Sequence, residues 1–250
     1  MNLIIDVGNS RTKYAAYQGQ NLLRTHSEDG HALGVLPGFV GTDTVAAVMV
    51  CSVVDLDSAA CRHLDDLGCQ QLWLDATTPV PLENCYHTPH TLGPDRLAAA
   101  VGAWALMPDC NLLVIDAGSC VTFDIVTSQG QYLGGNIAPG MHARFMAIDR
   151  FFPRLPLVEA EGALPEVGYD TETAIRAGVV QGLRREIEGY IRHMGELYPG
   201  LETFITGGDE LGLDIHDGEH VHVVPDIVSR GLNVILSYNL GLMAQTQTTT

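Results

Sequence analysis

The sequence predicts an α/β protein built as two duplicated lobes facing a central cleft, and three observations carry that prediction. The opening run LIIDVGNSRTKYAAY, residues 3–17, is echoed about halfway along by LLVIDAGSCVTFDIV, residues 112–126. Aligned from Leu3 and Leu113, the two share Leu3/Leu113, Ile5/Ile115, Asp6/Asp116, Gly8/Gly118 and Thr12/Thr122. Each run opens an antiparallel meander that gives way to helical stretches, the alternation of an α/β fold. With 250 residues the chain has room for two domains, since domain size clusters near about 100–150 residues. The expected division is a first domain over 1–110, a second over 111–244, and a disordered tail over 245–250, where QTQTTT carries no apolar residue.

The elements follow in order. Residues 3–7, 11–18 and 22–26 read as strands separated by Gly8-Asn9-Ser10 and Gly19-Gln20-Asn21. VAAVMVCSVV at 45–54 is a buried strand, 57–67 a helix and 71–74 a short strand. PDRLAAAVGAWALM, 94–107, is rich in Ala and Leu with proline at its start, the pattern of a helix joining the halves. Its apolar surface suits either a partner or its own core. The second meander covers 112–116, 121–127 and 131–134, with Ser128-Gln129-Gly130 as its later turn; helices follow near 141–152 and 171–197. TFITGGD, 203–209, drops from a strand into a double glycine, and VHVVPDIVSRGLNVILSY gives a strand and a closing helix. Trp73 and Trp104 read as core residues.

Composition narrows the function classes. Thirteen basic residues against 30 acidic give a net charge of −17. No Lys/Arg cluster offsets it, so a nucleic-acid backbone, which is bound by neutralising phosphates, is not the expected partner. A small anion held by backbone amides, a metal ion and one lysine remains compatible. No run of about 18 apolar residues predicts a membrane span, and Met-Asn followed directly by a strand lacks the features of a signal peptide. A soluble, cytoplasmic protein is expected. The six cysteines contain no C-x-x-C pair and read as free, mostly buried thiols. His220-x-His222 places two rings on one face of a strand, a spacing that does not by itself make a metal site.

A strand ending in aspartate before a glycine-containing hairpin turn is a way to hold a nucleotide phosphate. Glycine allows close backbone approach, amides donate to phosphate oxygens, and the carboxylate holds Mg²⁺ directly or through water. Lys13 on the returning strand adds a point charge. A strand-end Asp-x-Gly is also a common tight turn; here there are two copies and a third glycine loop, Gly207-Gly208-Asp209. Asp95 near a helix start suits both a capping residue and a proton acceptor.

The set DVGNSRTK at 6–13, GPDR at 93–96, DAGSCVTFD at 116–124, GGNIAPG at 134–140, TETAIRAG at 171–178 and TGGD at 206–209 resembles the type III pantothenate kinases. That family belongs to the acetate and sugar kinase, Hsp70 and actin superfamily, so the resemblance implies paired ribonuclease-H-like (actin-like ATPase) domains binding ATP. It implies an ATP-dependent phosphorylation of pantothenate to 4′-phosphopantothenate, the first step toward coenzyme A. By the same resemblance Asp6, Val7, Gly8, Asn9, Ser10, Arg11, Thr12 and Lys13 form the first phosphate loop, with Asp6 organising Mg²⁺, and Ser119 contacts ATP from the second. Asp116 corresponds to the ligand of a monovalent cation, K⁺ or NH₄⁺. Asp95 corresponds to the proton acceptor, and Tyr86, Gly93, Pro94, Asp95, Arg96 and Thr171 to pantothenate contacts. The family acts as a homodimer with pantothenate near the subunit interface. Ser10 stands where threonine is frequent and Ser119-Cys120 where Thr-Ala is usual; both keep a hydroxyl.

Alternatives stay open on the residues alone. Asp116 could bind Mg²⁺ or close its turn through backbone amides, and Thr171 could be a helix N-cap with Ala174 at N3. Another small-molecule kinase of the superfamily and an ATP-binding regulatory protein are the competing functions.

Overall fold

A computed structural model of the chain describes residues 1–207 and 220–247, which form two compact units. The first unit takes in residues 1–109, 129–133 and the chain from 226 onward. Its sheet contains β1 (Asn2–Val7), β2 (Arg11–Gln18), β3 (Asn21–Asp29), β4 (Ala47–Ser52) and β5 (Gln70–Trp73), in the order β3-β2-β1-β4-β5. β1 to β3 make the expected antiparallel meander, while β4 lies parallel to β1 and β5 parallel to β4. β1 and β4, paired on both sides, are almost continuously apolar; edge strand β3 carries the exposed polar residues. Leu3, Ile5, Val7, Tyr14, Val48 and Val50 build the core with α1 (Leu36–Val40) and α2 (Ser58–Asp65). The five-residue α1 contains Pro37 and Gly38, so its sequence reads as a loop. Asp57 caps α2, accepting from the amides of Ala59 and Ala60 at 2.9 and 2.8 Å.

Two helices complete this unit, α3 (Pro94–Leu106) and the closing helix, called α6 below (Ile227–Gln247). They pack backbone to backbone. A Cβ added at Gly231 would lie 1.7 Å from the carbonyl oxygen of Ala98, and one at Gly102 would lie 2.1 Å from that of Ile227. Small residues on both helices permit that approach, so the apolar face of α3 is spent within its own unit.

The second unit takes in 110–128 and 134–225. It contains β7 (Leu112–Ala117), β8 (Cys120–Val126), most of β9 (Gln131–Pro139), α4 (Met141–Phe151), α5 (Thr171–Leu197), β10 (Glu202–Thr206) and β11 (Val221–Val223). β7 and β8 form an antiparallel hairpin, and β10 and β11 add in parallel beside β7. β6 (Glu83–Asn84) pairs with Gln131 and Tyr132, the part of β9 that groups with the first unit. Phe123, stacked on Tyr190 at 3.8 Å, joins the sheet core to α5.

Several expectations need adjustment. The closing helix groups with the first unit and not with 111–244, because its glycine and neighbouring small side chains fit against α3. α6 runs to Gln247, so residues 245–247 are helical, while 248–250 lie outside the described residues. Trp73 is 43% exposed and is no core residue; Trp104 packs beside Gly130. Cys51 alone among the six thiols is buried, and Cys120 is exposed. No helix among the described residues is long and apolar enough to cross a membrane.

Candidate active site

The first hairpin shows why a carboxylate ends a buried strand. Asp6 lies opposite Lys13 on β2 and opposite Cys51 on β4. Residues in register share a face of the sheet, so Lys13, Asp6 and Cys51 form one row: an exposed ammonium, a half-buried carboxylate and a fully buried thiol. Burial pushes the Cys51 thiol well up, reinforced by the charges of Asp6 and Asp95 and by its hydrogen bond to Asp6. The charges of two carboxylates from distant parts of the sequence thus act on one buried sulfur.

The loop beyond Asp6 is held in place. The Gly8 amide donates to the Arg11 carbonyl at 2.9 Å. From the end of β3, the Gly30 amide donates to the Ser10 carbonyl at 2.9 Å, and the Thr12 hydroxyl donates to the Gly30 carbonyl at 2.7 Å. Gly30 sits at φ 81°, a left-handed conformation that favours glycine. His31 Nε2 lies 3.2 Å from the Asn9 carbonyl oxygen, and Arg11 pairs with Asp29 at 3.0 Å. Asn9, Ser10 and Arg11 are exposed, whereas Val7 and Thr12 are buried. Those two expected phosphate-loop residues therefore offer a ligand only backbone, since their side chains belong to the core and to Gly30.

At the start of α3, Gly93 is the N-cap residue, Pro94 begins the helix and Asp95 lies in the first turn. Asp95 Oδ1 accepts from the Arg96 amide at 2.9 Å, so one oxygen does helix-start work. A Cβ at Gly93 would fall 2.5 Å from that same oxygen, which explains glycine before Pro-Asp. Arg96 is buried, its guanidinium carbon 5.8 Å from the centre of the Tyr86 ring, and Tyr86 meets Tyr132 at 6.4 Å. A recess of about 200 Å³ opens beside this turn, lined by Leu74, Asp75, Asn84, His90, Pro94 and Leu97 among others.

The second hairpin repeats the first with one residue fewer in its loop. Val7 pairs with Thr12, but Ala117 pairs with Val121, and Asp116 faces Thr122. The match of Thr12 with Thr122 is therefore one of sequence only, since a one-residue slip moves a side chain to the other face. Thr12 is buried opposite Val7; Thr122 stands where the first hairpin has Lys13. Two glycines crowd this loop within the second unit. A Cβ at Gly140, the N-cap of α4, would lie 2.0 Å from the Gly118 carbonyl oxygen, and one at Gly207 would lie 2.1 Å from that of Ala117. The Gly140 amide donates to the Ser119 carbonyl at 3.1 Å, and Ser119 is exposed.

Asp170, not Thr171, caps α5, in a capping box with Thr173; the amide of Thr173 donates to Asp170 Oδ1 at 2.8 Å. That bond and the Thr173 hydroxyl hold the Asp170 carboxyl below the usual carboxylate range. Thr171 is left exposed at the first helical position. His220 and His222 are committed to opposite oxygens of Glu202, each at 2.8 Å. Among the described residues no group of three or more His, Cys, Asp and Glu is arranged to hold a metal ion. Gly208 and Asp209 of the third glycine loop lie outside the described residues. The sequence reading missed Cys51, Gly30 and His31 as site neighbours. Only the β1–β4 register and the loop contacts bring them in.

A model of the type III pantothenate kinase family matches residues 2–193. The chain belongs to that family. Among type III pantothenate kinases it is 44% identical to one from Bacteroides fragilis and 40% identical to one from Porphyromonas gingivalis, each covering 96% of this chain and 99% of the relative. Solved structures extend the likeness to the fold. A Campylobacter jejuni protein of the Baf family superposes with TM-score 0.61 at 22% identity, covering 96% of this chain and 99% of that one. A ROK family glucokinase from Streptomyces griseus, in complex with glucose and AMPPNP, does so with TM-score 0.52 at 14% identity, covering 94% and 97%. The chain therefore has the actin-like ATPase fold.

Proposed function

We propose that the chain phosphorylates the primary hydroxyl of pantothenate with ATP, giving 4′-phosphopantothenate and ADP, the first step of coenzyme A synthesis. The observation that carries this reading is the pair of carboxylates in the first unit, Asp6 in register with Lys13 at the end of β1 and Asp95 in the first turn of α3. Asp6 is then the strand-end carboxylate beside a phosphate-type loop, Asp95 the helix-start carboxylate able to take a proton, and the charges of both act on the Cys51 thiol. The pantothenate hydroxyl oxygen attacks the γ-phosphorus as its proton passes to Asp95, and the bond to the bridging oxygen of ADP breaks. Such a transfer has a loose transition state, so alignment and charge neutralisation do most of the work. Lys13 and the amides of the loop after Asp6, through residues 7–13, answer the phosphate charge, with Ser119 contacting ATP from the second hairpin. Tyr86, Gly93, Pro94, Arg96 and Thr171 hold pantothenate.

The donor set suits Mg²⁺. That ion favours oxygen ligands and is usually held by one or two carboxylates plus substrate phosphates and water, not by an all-protein cage. Asp6 is the protein's oxygen donor for it, and when bound it neutralises the phosphate oxygens. Asp116 binds K⁺ or NH₄⁺. What supports this split is the register: the position opposite Asp6 carries an ammonium, and that opposite Asp116 a neutral hydroxyl.

A second copy of the chain covers exposed apolar side chains, among which Phe151, Phe152, Leu157, Val167 and Tyr169 are each at least half exposed. Thr171 opens α5 two residues beyond Tyr169. We place the working enzyme in the cytoplasm as a homodimer.

The test is 4′-phosphopantothenate formation, followed by mass spectrometry, from purified protein with ATP, Mg²⁺ and pantothenate, with and without K⁺, beside Asp95→Ala. Product that needs K⁺ and vanishes in the variant is expected. Folded protein that binds ATP and makes no product in any condition refutes the reading and favours the regulatory alternative.

A further inference from the structure

Cys51 is a buried polar group at the candidate centre with no part in the transfer chemistry. It lies at the end of β4, directly across from Asp6, in a parallel register that runs unbroken from Asn2↔Ala47 to Val7↔Ser52. Its side chain is fully buried, whereas Asp6 is half-buried, so the thiol reaches the carboxylate from the protein side. On the opposite flank of Asp6 the in-register residue is Lys13, long and exposed. Of the two neighbours only Cys51 has a short side chain fixed by the surrounding core. Aspartate has χ1 and χ2 to settle, and a carboxylate presenting one oxygen outward needs the other held.

We infer that Cys51 is a positioning residue for Asp6, its thiol donating to one carboxylate oxygen and so aiming the other at the divalent cation. This rests on the assignment of Asp6 to Mg²⁺ made above. Partners that orient a metal-binding carboxylate matter to affinity: losing one costs about 10–100-fold. A thiol is a weak donor, so its loss belongs at or below the lower end of that range.

The experiment measures Mn²⁺, in place of Mg²⁺, binding to the full chain with ATP and without pantothenate, read from the electron paramagnetic resonance signal of the free ion. Cys51→Ala removes the donor; Cys51→Val removes it while filling the space; Cys51→Ser keeps a donor of similar size. Alanine and valine variants are expected to bind Mn²⁺ about 3–10-fold more weakly, with serine close to wild type. Equal binding in all four proteins overturns the inference, as does an equal loss in all three variants, which would mark a packing role. Should the alanine and valine variants fail to fold, the S–H stretching band decides. The band lost in Cys51→Ser is expected to shift toward that of a free thiol in Asp6→Asn, and an unmoved band overturns the inference. Wild-type protein that binds no Mn²⁺ with ATP overturns the Asp6 assignment along with it.

Discussion

Glycine to alanine at position 231 should cripple the first unit. The added Cβ would fall 1.7 Å from the Ala98 carbonyl oxygen, more than an ångström inside the 3.0 Å that such atoms respect, and the obstacle is backbone. The helices must separate. Overpacking of this kind costs about 1–3 kcal/mol and at times more, and a contact this deep belongs at the upper end. For a chain of this size about 3 kcal/mol corresponds to a melting temperature lower by about 6–12 °C. Asp95 lies about one turn upstream of Ala98 on the same helix, so turnover should fall even at temperatures where the variant is folded. Gly189→Ala on α5 is the control: a Cβ there meets nothing within 4 Å. Relief of glycine's backbone entropy should add about 0.5–1 kcal/mol and raise the melting temperature by about 1–4 °C. Differential scanning calorimetry of both variants, with 4′-phosphopantothenate formation measured at 20 °C below each midpoint, checks the pair. A Gly231→Ala midpoint within about 1 °C of wild type would refute the account of the α3–α6 contact.

Asp95→Asn should lower kcat about 10²–10⁴-fold while ATP binding, by calorimetry, stays intact. Lys13→Ala should raise the KM for ATP at least about tenfold, since a charge-assisted contact contributes about 1.5–3 kcal/mol. Asp116→Asn should lose most K⁺ stimulation while circular dichroism shows an unchanged fold; unaltered K⁺ dependence would remove that assignment. Burial alone would raise the Glu202 carboxyl, but hydrogen bonds from His222 and His220 hold it below its ordinary 4.5. A depressed folded-state value contributes stability above the ordinary value that fades as pH falls through the folded one. Urea midpoints of wild type and Glu202→Gln should therefore differ at pH 7 and converge in acid.

The amino-acid sequence by itself determined the duplicated meanders, the helix over 94–107, which ends one residue earlier in the structure, and the α5 span. Each rests on local patterns: apolar runs stopped by Gly-Asn-Ser or Gly-Ser turns, alanine-rich stretches opened by proline, a long helical pattern over 171–197. It also named Asp6, Asp95 and Lys13 as candidates, because strand-end carboxylates, helix starts and glycine turns carry their chemistry in short motifs; Tyr86 and residues 93–96 as pantothenate contacts came from the family resemblance. Only the tertiary structure decided that Asp6 faces Cys51, since β4 enters beside β1 from forty residues away and nothing local encodes that register. It likewise decided that Thr12 and Thr122 are not equivalent, that Asp170 and not Thr171 caps α5, and that the closing helix belongs with the first unit. Each depends on pairing or close packing between segments distant in sequence, where a single residue of slip, or one missing Cβ, changes which atoms meet.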